Sequence, residues 1–135
     1  MTILNLTQHH ATPEQKDAGV VDIPEQQRAL LIKLLTFEHL PDAEDVHQRA
    51  ISISELITEA DAILHPGSEE LVTDAVMIGG APYLMPYLER HCGAYCTVLY
   101  AFSIRESVEQ TQPDGSVRKV NIFRHGGFIK AEGKG

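Results

Sequence analysis

Apolar residues follow two different rhythms along this chain. In "DIPEQQRALLIKLLTF" (22–37) they fall at 30, 31, 34, 35 and 37, the three-to-four spacing of one helix face. Pro24 suits the first turn of that helix, where a missing amide hydrogen costs nothing. In "DAEDVHQRAISISELITEADAIL" (42–64), Val46, Ala50, Ile53, Ile57, Ala60 and Leu64 repeat the spacing and predict a second amphipathic helix. Asp42 is its expected N-cap, Asp45 suits its positive end, and the Pro-Gly of "HPGSEE" stops it.

The rhythm then shortens. "DAVMIGG" (74–80) is an unbroken apolar run ended by glycines, which predicts a strand buried on both faces. "APYLMPYLERHCG" (81–93) predicts a short helix stopped by Gly93, with Pro86 in or beside its first turn. "YCTVLYAFS" (95–103) predicts a second buried strand, so the three pieces form a βαβ unit with parallel strands. "PDGS" (113–116), set between two β-prone runs, predicts a hairpin and antiparallel outer strands. Near the start, "TILNL" (2–6) predicts a further strand opening into the polar loop "TQHHATPEQ", and the tail over about 131–135 reads as frayed. The expected fold is a single α/β domain over 1–135, three-layered and Rossmann-like. It has a mixed sheet of four to five strands, two helices in the N-terminal half and a C-terminal β-hairpin.

Composition narrows the function classes. A chain of 135 residues with 43% hydrophobic content has enough apolar surface for one core, and that core is aliphatic because Trp is absent. The net charge of −8 is unevenly placed: residues 1–103 hold 15 acids and 5 bases, whereas 104–135 hold 4 acids and 6 bases. An acidic body argues against general nucleic-acid binding, which needs a basic face. A small anionic ligand at a local Arg cluster remains compatible. No basic-then-apolar leader opens the chain, and no apolar stretch approaches the roughly 20 residues of a bilayer span. A cytoplasmic protein without a membrane partner is therefore expected. Cys92 and Cys96 lack a second cysteine pair and read as small buried residues.

Candidate chemistry gathers where strand ends converge. In open α/β sheets, ligands sit at the carboxyl ends of the parallel strands, here "TQHH", "GGAP" and "FSIR". Pairing Gln112 with Val117 across the turn places Arg105 opposite Arg124 and His125 beside Ile104. The rim would then carry Gly79, Gly80, Ser103, Arg105 and Arg124 as ligand-binding residues, and His9, His10 and His125 as acid–base groups. Two facing arginines need an anion between them or nearby carboxylates, and Glu106 and Glu109 offer the second option. Both readings stand on the sequence. "GGAP" is neither a dinucleotide fingerprint nor a Walker loop, and no histidine spacing supports a metal, so the sequence names no cofactor.

Three segments, "NLTQHHATPEQ", "VMIGGAPYLMPYLE" and "LYAFSIRESVEQTQPDGSVRKVNIFRHGGF", resemble small uncharacterised bacterial proteins of mobile elements and plasmids. The Gly-ended strand, helix, strand, Ser-x-Arg and hairpin also resemble, over the last half of the chain, Rossmann-like CRISPR-associated sensor domains. Those domains bind cyclic oligoadenylates across a dimer, and some cleave them slowly. The resemblance implies a homodimer in which Ser103 and Arg105 contact ligand phosphates; the acidic helical segment 22–65 departs from it. The expected function is binding of a nucleotide-like or other phosphorylated anion. The alternatives are a phosphodiesterase or hydrolase using His and Arg at the same rim, and an interaction protein acting through its helical pair.

Overall fold

The first strand lies in the interior of the sheet. β1 (Ile3–Leu6) is buried along its whole length and is flanked by parallel neighbours on both sides: β2 (Val20–Asp22) and β3 (Ala75–Ile78). β3 pairs in parallel with β4 (Thr97–Thr111), and β4 pairs antiparallel with β5 (Val117–Lys130). The strand order is β2-β1-β3-β4-β5, the mixed five-stranded α/β sheet expected, with a C-terminal hairpin. The computed structural model describes residues 1–131. The tail expected to fray falls outside them except Ala131, whose amide donates to the Val98 carbonyl at 2.9 Å.

The connections wind to both faces. From β1 the chain passes through α1 (Pro13–Asp17), closed by a capping box between Thr12 and Gln15, into β2. From β2 it passes through α2 (Glu25–Leu35) and α3 (Ala43–Leu64) into β3. α4 (Met85–Gly93) then links β3 to β4. Asp42 caps α3 by accepting the Asp45 amide at 2.8 Å, and Pro86 falls in the first turn of α4, both as the sequence predicts. β2 is the element that hydrophobic patterning overlooks. It has three residues and a partner on one side only, so it carries almost no periodic signal.

The alternation of strand residues divides the core. Leu4, Leu6, Val76, Ile78 and Val98 pack with Leu31, Leu35, Ile53, Ile57 and Leu88 of the helices. On the opposite face, Ile3, Val20, Ala75, Met77 and Leu99 are covered by Ala11, just ahead of α1, and by Phe128 of β5. One face thus has a thick helical layer and the other a thin cover.

The hairpin register differs by one residue from the sequence expectation. Gln112 pairs with Ser116 rather than Val117, its amide donating to the Ser116 carbonyl at 2.7 Å, and Thr111 faces Val117. Arg105 therefore lies opposite Phe123, and Arg124 opposite Ile104. A one-residue slip exchanges the faces of a strand, so the two arginines point to opposite sides of the ribbon. The facing pair of arginines does not form.

Asp61 near the end of α3 fastens the segment entering β3. Its buried carboxylate accepts the Val72 amide at 3.1 Å, the Thr73 amide at 2.8 Å and the Thr73 hydroxyl at 2.6 Å. Burial pushes its acidity upward, but these hydrogen bonds and the nearby His65 outweigh it, holding the group below the ordinary carboxylate value. A carboxyl depressed in the folded state contributes stability above its unfolded value and loses it as pH falls through the folded value. Asp61→Ala should cost roughly 2–3 kcal/mol at neutral pH, because it strands two buried amides. Denaturant titrations should show the difference from wild type shrinking as pH drops below about 4.

Candidate functional site

The connection from β1 leads outward to β2 at one edge, whereas the connection from β3 leads to β4 in the other direction. Between the carboxyl ends of β1 and β3 the winding reverses, and a crevice opens in sheets of this kind. A cleft of about 570 Å³ occupies that position, lined by Thr7, Gln8, His9 and His10 after β1, and by Gly79 and Gly80 after β3. Met77 and Ile78, with Tyr100 and Ala101 of β4, complete the apolar part, and Thr12 and Gln15 close the α1 side.

The two glycines of this wall differ in what a side chain would meet. Gly80 has φ +144°, a conformation side-chain-bearing residues rarely adopt. A Cβ on Gly79 would stand 3.4 Å from Thr7 Cγ2, in contact with the opposite wall. The lining ends at Gly80 while α4 begins only at Met85, so the helix start contributes no amides to the cleft.

The histidine loop is held by buried polar side chains that sequence patterning passed over. The Asn5 side-chain amide donates to the His9 carbonyl at 2.7 Å and to Asp22 Oδ1 at 2.9 Å. Its oxygen accepts the Thr7 amide at 2.9 Å and the Thr7 hydroxyl at 2.7 Å. Asp22 also accepts the Ala11 amide at 2.9 Å. Burial pushes the Asp22 carboxyl upward, but the Asn5 and Ala11 hydrogen bonds and the charges of His10 and Lys16 bring it below its ordinary value. From α2, Arg28, only 6% exposed, donates to the Gln8 carbonyl at 2.8 Å. The same nitrogen lies 3.4 Å from His10 Nδ1. A guanidinium only donates, so Nδ1 is the acceptor and neutral His10 carries its proton on Nε2.

The other sequence-predicted residues lie outside the cleft lining. Ser103 and His125 form a register pair beyond Ala101, and the His125 ring packs on Phe128 with centroids 4.8 Å apart. Arg124 pairs with Glu106 at 3.4 Å. Arg105 sits 6.0 Å from the Phe123 ring centroid on the opposite face. The structure thus brings together His9, His10, Gly79 and Gly80, and distributes Ser103, Arg105, Arg124 and His125 along the hairpin.

A protein-family model described as the Uncharacterized protein MJ1673 family matches residues 1–129. The chain belongs to that family. No curated protein and no solved structure matches it. Beyond the histidines and glycines legible in the sequence, this MJ1673-family chain has two further elements at the site. One is the Asn5–Asp22–Arg28 scaffold. The other is Tyr100, whose hydroxyl donates to Glu89 of α4; burial and that carboxylate push the phenol well above its ordinary value. The signal for Asn5 was present as a lone amide in an apolar strand; Arg28 looked like one polar position on an amphipathic helix. Cys92 and Cys96 are free thiols, pushed up by burial to about 12 and about 11, and they contribute no nucleophile.

Removing Arg28 tests the scaffold. Arg28→Met keeps the apolar stem but leaves the Gln8 carbonyl without its buried donor, a loss of roughly 1–3 kcal/mol. Hydrogen exchange should quicken at residues 7–11 by more than at the α3 amides, which should change only by the global loss of stability. Unchanged protection of the loop would show that Arg28 does not position it.

Proposed function

We propose that this MJ1673-family protein binds a small anionic molecule, nucleotide-like or otherwise phosphorylated, in the cleft between the ends of β1, β3 and β4. One observation carries the reading: among the described residues, no acidic side chain lines this cleft. Three other surface clefts carry carboxylates, from Asp74, from Glu38 and Asp45, and from Asp42. The lining instead offers the donors of Thr7, Gln8, His9, His10 and Thr12, with the Arg28 guanidinium directly behind His10; Glu25, outside the lining, lies 3.8 Å from His10 Nε2. A phosphoryl group would meet imidazole and hydroxyl donors at one end, and a base or other planar group would meet Met77, Ile78 and Tyr100 at the other.

Cyclic oligonucleotides belong to the proposed ligand class on the motif resemblance alone, and a bacterial cytoplasmic setting is part of the same proposal. In this reading Ser103 and Arg105 act from the hairpin on parts of a ligand extending past the cleft mouth.

A thermal-melt panel of mononucleotides, cyclic oligoadenylates and inorganic phosphate tests the proposal. A ligand at 100 times its Kd stabilises the folded state by roughly 2.7 kcal/mol, a rise of several degrees. The rise should be lost or strongly reduced in His10→Ala and retained in Arg105→Ala for ligands that fit within the cleft. No rise with any anion, or an equal rise in His10→Ala, would overturn the assignment.

A further inference from the structure

The hairpin outgrows the sheet that anchors it. β3 pairs with β4 only as far as Tyr100, yet the β4–β5 ladder continues to Thr111 and Val117. The free part is a two-stranded ribbon roughly 35 Å long, standing beyond the carboxyl ends of β1 and β3. Isolated two-stranded ribbons are marginal in water.

This ribbon is nevertheless built as if one face were covered. Phe102, Ile104 and Val108 lie on one face of β4, joined there by Ile122 and Val120 of β5, with the Glu106–Arg124 ion pair set among them. The reverse face is mostly polar, with Ser103, Arg105, Ser107, Glu109, Lys119 and Asn121, although Phe123 and Val117 also lie on it. Such alternation marks a strand pair with one buried side, but Phe102, Ile104 and Ile122 are 49%, 46% and 36% exposed. Gly126 reinforces the pattern. It is the extra residue of a bulge between Phe102 and Ser103, and a Cβ there would collide with Phe102 Cδ2 at 2.8 Å and Ile104 Cγ1 at 2.7 Å. Its hydrogen lets both apolar side chains lie down on the backbone.

We propose that the apolar face of this arm docks on a second copy of the same chain, forming a two-fold dimer in which each arm grips the other subunit. Charge selects the occupant. Residues 1–100 carry 15 acids and 5 bases, so two bodies repel each other; the arm, residues 101–130, carries 5 bases and 3 acids. Arg118 stands at the tip end of its apolar stripe opposite Gln110, and Arg124, opposite Ile104, pairs with Glu106 within it. The complementary surface on the body is the apolar cleft of Leu40, Pro41, Val46, Tyr83 and Tyr87, with Asp42 at its edge and Leu40 98% exposed. Reciprocal contacts of two ribbons about 10 Å wide would bury roughly 1,500 Å² in total, within the range of stable dimers.

Sedimentation or light scattering without any ligand separates this inference from the binding proposal. Wild type should run at twice 14.9 kDa at micromolar concentration, with a dissociation constant that weakens as salt rises. Ile104→Lys with Ile122→Lys should give a folded monomer, since both side chains already face solvent. Leu40→Asp, a change at an exposed position on the body, should weaken the dimer at least tenfold. A monomeric wild type, a dimer that survives both variants, or a monomer whose arm binds RNA instead would overturn it.

Discussion

One buried amide organises the functional end of this fold. Asn5, in the middle of an otherwise apolar sheet, reaches β2 through Asp22 and the following loop through Thr7 and His9. A polar group at that depth is tolerated only when its hydrogen-bonding capacity is satisfied, and here both ends of the amide are engaged. The arrangement couples the outermost parallel strand to the histidine loop, so sheet edge and cleft wall share one set of bonds. Arg28 completes it from the helical side by holding Gln8.

The distribution of charge follows the same division of labour. Acids populate the helical body, and Arg and Lys residues populate the hairpin. Between the two lies a cleft without a carboxylate, at the one place where the winding of the sheet leaves backbone and small residues accessible. The topology therefore creates the opening, and the acids described line other parts of the surface.

The sequence revealed the parts whose signal is long-range in pattern. Two amphipathic helices, the Gly-ended strand, the short Pro-started helix and the hairpin were all legible, because periodicity and turn chemistry extend over several residues. The histidine and glycine walls of the cleft were legible too, as loops at carboxyl ends of strands. What escaped were features fixed by tertiary pairing. β2 is three residues long, and Arg28 looks like any helix arginine until the chain folds over it. The hairpin register turned on whether Gln112 met Ser116 or Val117, a choice made by one backbone hydrogen bond. That single step decided whether two arginines faced each other.

The thin cover over one face of the sheet bears on how the chain folds as it is made. Ile3, Met77 and Leu99 on that face depend on Phe128 for part of their shelter, and β1 must wait for β3, more than seventy positions later. Until residue 128 has left the ribosome, that surface stays open to water while the helical side can already collapse. Pairing across such sequence distances is slow, and exposed apolar strands invite association in the interval. The final sealing of the core is therefore a late event, assigned to a residue at the root of the arm.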